Sequence, residues 1–333
     1  MDLSADPILR CEACPAPLLA DDRFCEACGA RRGAEPAEPE RPTGDCHGCG
    51  GPAANDADGY CGVCGVRARE GRSRTELDLS LAAAVSDAGR VRRCNEDAFH
   101  LEQVDGDVVA VVCDGISSSA SADLAARRGA AAAGAVLAEA LRDGSPAPAA
   151  ASVDAIAAAQ DAVGQLPPAP RADLADPSCT LVSALVREGE FVVGSVGDSR
   201  AYWIAPTGAR QLTIDDSWAG EQVAAGVLSS EQAACDPRAH SITCWVGPDA
   251  PEDPPQIVTV APVEPGRLVL CTDGLWNYAP GAADLAKLLD DLPATAGAAV
   301  VARALAEVAL ARGGQDNITV AVVDVRPPRG SFR

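Results

Sequence analysis

The chain has 333 residues, 47% of them hydrophobic and 23% charged, which is enough for one large globular domain and a small one. Its formal net charge of −21 disfavours nucleic acid as a partner, because binding to phosphates requires clustered Lys and Arg. One lysine, three histidines and no G-x-S-x-G motif also argue against a kinase, a P-loop enzyme and a serine hydrolase.

Nothing in the sequence indicates a membrane protein or a secreted one. No apolar run approaches the length of a membrane-spanning helix. The first ten residues, MDLSADPILR, lack the basic and then apolar pattern of a signal peptide. We therefore expect a cytoplasmic protein with no membrane partner.

The first seventy residues contain eight of the fourteen cysteines, arranged in four C-x-x-C pairs. The pairs are Cys11 and Cys14, Cys25 and Cys28, Cys46 and Cys49, and Cys61 and Cys64. Two such pairs can present four thiolates to one tetrahedral Zn²⁺, so the spacing predicts two structural zinc ribbons, at 11–28 and 46–64. A disulfide framework is disfavoured without a secretory signal, and a thioredoxin-like pair would need a βαβ setting.

A Pro/Glu-rich spacer over 31–44 separates the two predicted ribbons, and its composition is typical of a flexible linker. Residues 1–70 carry more acids than bases, so we expect the ribbons to contact a protein partner. The predicted organisation is a double zinc ribbon, a linker, a large domain and a short tail, over 1–70, 71–78, 79–327 and 328–333.

The large domain reads as strands mixed with Ala-rich helices. Strands are predicted at 107–114, 180–188, 190–198, 200–204, 256–263, 266–273 and 317–325. Helices are predicted at 119–142, 151–164, 282–291 and 297–312. Short turns between successive strands favour antiparallel sheets. The predicted fold class is α+β, a four-layer α-β-β-α sandwich of two antiparallel sheets flanked by helices.

Two apolar strands, VAVVCDG over 109–115 and LVLCTDG over 268–274, each end in an aspartate followed by glycine. These aspartates are Asp114 and Asp273, and Asp316 stands just before the last predicted strand. An Asp-Gly pair can simply form a turn, and that explanation suffices for any one of them. Three strand-end carboxylates gathered together would repel one another unless a cation lay among them, and all-oxygen ligands favour Mg²⁺ or Mn²⁺. The combination therefore predicts a binuclear metal site.

A series of motifs in chain order closely resembles the metal-dependent protein phosphatase 2C (PPM) family of bacterial type. The motifs are RVRRCNED (90–97), CDG (113–115), SCT (178–180), GDSR (197–200), LTIDDS (212–217), SITCWVG (241–247), CTDGLW (271–276) and GGQDNIT (313–319). The resemblance covers residues 79–326 nearly end to end.

The resemblance implies two Mn²⁺ or Mg²⁺ ions, the first of them bound by Asp114, Asp273 and Asp316. It implies that Asp114 bridges to the second ion. That ion would also take the Gly115 carbonyl and, directly or through water, Glu96 or Asp97. A third, weaker ion is often held at the position of Asp198.

The resemblance also implies the activity. Arg92 matches the arginine that holds the substrate phosphate, and a metal-bridging hydroxide would hydrolyse phosphoserine or phosphothreonine esters without a phosphoenzyme. The implied substrate is a phosphoprotein that is the target of a Ser/Thr kinase, or is itself such a kinase. Some family members carry a proton-donating histidine where Ile116 stands, so here solvent would protonate the leaving oxygen. Two alternatives are a catalytically weak pseudophosphatase that acts as a signalling scaffold and a nucleic-acid adaptor built on the ribbons.

Overall fold

The structure is a computed structural model that describes residues 9–10, 17–18, 74–169, 174–229, 232–233, 235–293 and 295–327. The chain divides into two compact units, Met1–Ala68 and Arg69–Arg333. In the first unit, strands β1 (Leu9–Arg10) and β2 (Pro17–Leu18) pair antiparallel. The eight cysteines predicted to bind zinc and the predicted tail lie outside the described residues.

The described part of the second unit contains two antiparallel sheets. The first is formed by β3 (Arg74–Asp78), β4 (Ala82–Asp87), β9 (Arg200–Ala205), β10 (Gly208–Gln211), β12 (Gly266–Cys271) and β13 (Ile318–Val325), in the order β10-β9-β12-β13-β4-β3. The second is formed by β5 (Ala98–Val104), β6 (Asp107–Cys113), β7 (Leu181–Arg187), β8 (Glu190–Val196) and β11 (Gln256–Val260), in the order β11-β8-β7-β6-β5.

Helices cover the outer face of each sheet. Helices α1 (Ala122–Arg142) and α2 (Pro148–Gly164) pack on the five-stranded sheet. Helices α4 (Asp273–Trp276), α5 (Ala282–Asp290) and α6 (Ala298–Ala311) pack on the six-stranded sheet, while the short α3 (Trp218–Ala224) follows β10. No helix within the described residues is long and apolar enough to cross a bilayer.

The core is layered because the central strands are buried on both faces. Along β6, Val109 and Val111 pack beneath α1 and α2, whereas Val108 and Ala110 pack between the two sheets. Successive side chains of a strand point to opposite faces, so a strand covered on both sides needs an unbroken apolar run. The prediction of two antiparallel sheets flanked by helices is confirmed.

In the second unit, four strands and two short helices were not among the elements predicted from the sequence: β3, β4, β5, β10, α3 and α4. The predicted linker over 71–78 is wrong for 74–78, which forms β3 at the edge of a sheet. Most β3 side chains are exposed, so the segment RTELD lacks the apolar alternation of a half-buried strand. Strand β4 is fully buried, yet its sequence AAAVSD is rich in alanine, which has a low intrinsic preference for strands.

Candidate active site

Antiparallel pairing brings carboxylates from separate segments to one end of the sandwich. The last residue of β12, Cys271, pairs with Val320 of β13 and with Arg200 of β9. The end of β12 therefore lies beside the beginnings of β13 and β9. Asp273 follows that end, and Asp316 and Asp198 precede those beginnings.

The five-stranded sheet also brings two aspartates together at the ends of paired strands. Cys113 at the end of β6 pairs with Ala98 at the beginning of β5. Asp114 follows the first of these residues and Asp97 precedes the second. The structure thus brings Asp97 and Asp114 together across a strand pair, which the sequence alone could not establish.

Burial and the negative charges of neighbouring carboxylates raise the pKa of four of these carboxyl groups. Burial, and then the charges of Asp97 and Asp273, raise the pKa of Asp114 well above its usual range. Burial, and then the charges of Asp273 and Asp215, raise the pKa of Asp198 to about 8. Burial also raises the pKa of Asp97 and of Asp273. Mutual repulsion in a poorly hydrated place favours protonation or a bound cation.

Asp97 offers a direct test of whether a cation fits. Its Oδ2 accepts a hydrogen bond of 2.9 Å from Thr272 Oγ1, whereas its buried Oδ1 has no hydrogen-bond partner among the residues that the structure describes. A buried carboxylate oxygen without a partner is costly, and such an oxygen suits Mg²⁺ or Mn²⁺. Among the described residues, no three His, Cys, Asp or Glu side chains form a closed ligand set for one ion. The donor chemistry therefore fits a divalent cation, while the side chains are gathered more loosely than in a finished coordination shell.

Arg92 and Glu96 lie at the mouth of this group. Arg92 Nη2 donates a 2.6 Å hydrogen bond to Asp316 Oδ2, and its Nη1 donates to Ser117 Oγ at 3.0 Å. Ser117 Oγ in turn donates to Glu96 Oε2 at 2.8 Å. The guanidinium is exposed enough to be reached from solvent, with 38% of the Arg92 side chain accessible.

The glycines after the two strand-end aspartates are required by close backbone approach. A Cβ at Gly274 would lie 1.8 Å from the Asn317 carbonyl oxygen, and one at Gly115 would lie 2.5 Å from the Ala122 carbonyl oxygen. Neither glycine is among those with positive φ. The Asp-Gly pairs therefore let neighbouring segments pack against the site, a role that turn formation does not explain.

Sequence analysis missed Asn317, the buried residue next to Asp316. Its Nδ2 donates to the carbonyl oxygens of Ala88 and Cys94, each at 2.9 Å, and its Oδ1 accepts from the Glu96 backbone N–H at 2.8 Å. One side chain thus fixes the segment that carries Arg92 and Glu96 to the beginning of β13. Its position next to Asp316, a predicted metal ligand, was the feature of the sequence that could have identified it.

Two threonines, also missed, fix the aspartates themselves. Thr272 Oγ1 donates to Asp97 and accepts from the Thr319 backbone N–H at 3.0 Å. Thr180 donates from its backbone N–H to the Asp114 carbonyl oxygen at 2.8 Å, and its Oγ1 accepts from the Asp114 N–H at 3.2 Å. The Asp114 backbone and the Asp97 side chain are therefore held by hydrogen bonds to neighbouring segments.

Without divalent ions, the second unit is expected to lose stability as pH rises from about 4 to about 8. A carboxyl whose pKa is raised by folding binds its proton more firmly in the folded state, so stability falls between the unfolded and the folded pKa values. For Asp198 that interval runs from 3.8 to about 8, and the pKa values of Asp97, Asp114 and Asp273 shift in the same direction. Thermal unfolding in EDTA, followed by tryptophan fluorescence, measures this unit because all four tryptophans lie in it.

Added Mn²⁺ should raise the unfolding midpoint more at about pH 8 than at about pH 5.5. At the higher pH the carboxyl groups have lost the protons that relieve their mutual repulsion, and the cation takes over that role. Asp198→Asn should flatten the pH dependence in EDTA. A midpoint in EDTA that rises between these two pH values would contradict this account of the cluster.

Comparison with known proteins agrees with the geometry. A family model described as Protein phosphatase 2C matches residues 89–309, more than half of the chain, and ends just before Asp316. The serine/threonine phosphatase stp of Listeria welshimeri is 32% identical over 152 residues, which cover 46% of this chain and 58% of that protein. The chain thus spans little more than half the length of this curated relative.

Solved structures match over a longer stretch. The S. agalactiae serine/threonine phosphatase is 25% identical and superimposes with a TM-score of 0.61, covering 76% of this chain and 100% of that one. The catalytic domain of the serine threonine protein phosphatase PstP, solved with two manganese ions, is 27% identical with a TM-score of 0.58, covering 73% and 97%. The motifs, the two-sheet fold and the family match agree: this chain belongs to the protein phosphatase 2C family.

Proposed function

We propose that the chain is a metal-dependent serine/threonine phosphoprotein phosphatase that hydrolyses phosphate monoesters with two Mn²⁺ or Mg²⁺ ions. The observation that carries the proposal is the convergence of five strand-terminal aspartates beside an accessible arginine. Burial and the charges of neighbouring carboxylates raise the pKa values of four of them, Asp97, Asp114, Asp198 and Asp273. The similar proteins described above are named serine/threonine phosphatases, which supports the proposed activity. The PstP catalytic domain was solved with two manganese ions, which supports the choice of metal.

The proposed ligands are all oxygen donors contributed by strand ends. Asp114, Asp273 and Asp316 would hold the first ion; Asp114, the Gly115 carbonyl and either Glu96 or Asp97 would hold the second. Asp198 would hold a third and weaker ion. When bound, the ions would supply an activated water and neutralise charge on the phosphoryl oxygens.

The chain's own residues would orient the phosphate and leave protonation of the leaving group to solvent. Arg92 presents a planar set of N–H donors that can pair with two phosphate oxygens at once, which a lysine cannot do. Ile116 has no proton to donate, so solvent would protonate the leaving seryl or threonyl oxygen. The substrate would be a phosphoprotein that a Ser/Thr kinase modifies, or the kinase itself.

The test is hydrolysis of a phosphothreonine peptide and of p-nitrophenyl phosphate by the full chain, first in EDTA and then with Mn²⁺ or Mg²⁺. We expect turnover of both esters only when a divalent ion is present. A folded protein that binds Mn²⁺ and hydrolyses neither ester would overturn the proposal and favour a pseudophosphatase scaffold.

Arg92→Ala is expected to raise KM for the phosphopeptide by about ten-fold to a hundred-fold, because it removes charge-assisted hydrogen bonds to the phosphate. Arg92→Lys should recover only part of this loss, since the charge returns without the paired donors. The concentration of Mn²⁺ needed for half activation should change much less. An unchanged KM with weakened Mn²⁺ activation would instead place Arg92 among the groups that organise the metals.

The zinc ribbons belong to the same proposal, as a module that docks the substrate or another protein partner. Eight cysteines in two sets of four predict two zinc ions per full chain, measured by elemental analysis. Replacing Cys11 and Cys14 with serine should lower the content to one zinc. Fewer than two zinc ions in the unaltered chain would contradict the assignment of two ribbons.

A further inference from the structure

The strand-end residues Asp97, Asp114, Asp198, Asp273 and Asp316 form a carboxylate cluster. A cavity of about 660 Å³ that Asp198 helps to line lies beside this cluster. Asp198 and Asn277 line its end nearest the cluster, and Arg200 and Trp276 form part of its lining. The segment between β10 and β11 contributes much of the rest, including Ile214, Ala219, Val223, Ala224 and Ala239. Its volume lies within the range typical of ligand pockets in proteins.

One wall of the cavity is fixed by stacking and hydrogen bonds. The Arg200 guanidinium lies 3.8 Å from the centroid of the Trp276 ring, and Trp276 Nε1 donates to the Asp198 carbonyl oxygen at 2.9 Å. Arg200 also donates to both carboxylate oxygens of Asp215 and to the Pro280 carbonyl oxygen. The positive charge of Arg200 is therefore already matched, and an anionic side chain would gain little from it.

The facing wall is apolar and incompletely covered. No residue of α3 is buried, and Val223 on this helix is 36% exposed. Ile214, which also lines the cavity, is 57% exposed. Apolar side chains that line a concave site and remain open to water indicate a surface that is covered when something binds.

Hydrogen bonds at the base of this segment tie it to the loop that carries Asp198. Asp216 Oδ2 accepts from the backbone N–H of Gly197 at 2.9 Å, and the Trp218 backbone N–H donates to the Ser241 carbonyl oxygen at 2.9 Å. The Ser217 side chain caps α3 by accepting from the Gly220 N–H. The apolar wall is thus positioned relative to the carboxylate cluster before any substrate arrives.

We propose that this cavity receives a large apolar side chain of the phosphoprotein substrate, from a residue within two positions of the phosphorylated one. This inference rests on the proposed phosphatase function and names its substrate class. Asp198 belongs both to the cluster and to the cavity lining, so a peptide whose phosphate lies at the cluster passes the cavity opening. An anionic side chain placed there would lose its water beside Asp198 and Asp215 and would find Arg200 already paired, whereas an apolar side chain gains by burial.

The first experiment uses the full chain with Mn²⁺ and a set of phosphothreonine peptides. The peptides differ only at the two positions before and the two after the phosphothreonine, where each carries leucine, aspartate or glycine in turn. At one of these positions leucine is expected to raise kcat/KM by about ten-fold over both aspartate and glycine. Equal kcat/KM values at all four positions would overturn the inference.

The second experiment places a charge on the cavity wall. The quantity compared is kcat/KM for the preferred leucine peptide divided by kcat/KM for p-nitrophenyl phosphate. Val223→Arg should lower this ratio by about ten-fold. Val227→Arg is the matched control, because Val227 lies on the same segment, is 64% exposed and does not line the cavity. Ala219→Leu narrows the cavity without adding charge and should also lower the ratio. This second variant keeps the test decisive if Val223→Arg fails to fold.

The outcomes distinguish failure of the cavity assignment from failure of the proposed phosphatase function. If the unaltered chain hydrolyses neither p-nitrophenyl phosphate nor any peptide, the phosphatase proposal itself fails. If the chain hydrolyses both but Val223→Arg and Ala219→Leu keep the leucine preference, only the cavity assignment fails. Equal loss of the preference in the Val227→Arg control would also overturn the cavity assignment, because the effect would then not depend on the cavity lining.

Discussion

Asp273→Asn is expected to reduce Mn²⁺-dependent hydrolysis by about a thousand-fold or more, with the fold intact. Asparagine keeps the shape of the side chain but replaces a charged oxygen donor with a neutral one, which binds a divalent cation far more weakly. Asp273 follows β12 at the point where β9 and β13 begin, so no nearby carboxyl can take its place without moving a strand end. The measurement is turnover of p-nitrophenyl phosphate across a Mn²⁺ titration.

The same substitution should leave the stability of the metal-free protein unchanged or slightly higher. Burial, and then the charge of Asp316, raise the pKa of Asp273, so its ionised form is held in the folded state against repulsion. Asparagine removes that repulsion and can still accept the hydrogen bond of 3.3 Å from Asn277 Nδ2. A variant that is inactive because it is unfolded would be recognised by a lowered thermal midpoint in EDTA.

Asp290→Asn provides the matched control for this experiment. Asp290 is the last residue of α5 and is exposed, so the same chemical change there should alter neither turnover nor stability. Full turnover of Asp273→Asn at saturating Mn²⁺ would refute the assignment of Asp273 as a metal ligand, whatever the control shows.

The strands that carry the first two aspartates were predictable because their sequences are unambiguous. Residues 108–113 of β6 and 268–271 of β12 are continuous apolar runs, since the layers on both sides of each sheet bury all of them. Strand β4 is also buried, but half of its residues are alanine, and its pairing with β13 and β3 establishes it as a strand. Local sequence pattern therefore identified β6 and β12 and missed β4, which its neighbours define.

The candidate site shows the same division. Asp114, Asp273 and Asp316 could be proposed from strand-end patterns, but the partners that hold them could not. Asn317 acts through the carbonyl oxygens of Ala88 and Cys94, which are more than two hundred residues away in sequence. Hydrogen-bond partners of this kind follow from the register of β13 against β4, and a single sequence does not encode that register in a readable form.

Asn317→Ala is expected to destabilise the second unit by about 2 kcal/mol and to reduce turnover about a hundred-fold. The substitution leaves the buried Ala88 carbonyl oxygen without its partner, and a buried group left unpaired costs about 1–3 kcal/mol. The part-buried Cys94 carbonyl oxygen and Glu96 N–H also lose Asn317, but water can replace it there. Turnover should fall because the released segment carries Arg92, and residues that hold a ligand or substrate contact in place typically contribute about ten-fold to a hundred-fold. The measurements are the free energy of unfolding in urea and kcat with saturating Mn²⁺.

Two further variants separate positioning from a general loss of stability. Asn317→Asp keeps an oxygen that can accept from Glu96 but removes both N–H donors and adds charge beside Asp316, so it should be no more active than the alanine variant. Gln315→Ala changes an exposed side chain two residues away and should stay within about 0.5 kcal/mol of the unaltered chain in stability. If Asn317→Ala lowers stability as expected but keeps full kcat at a temperature where it is folded, Asn317 stabilises the fold without positioning the catalytic segment.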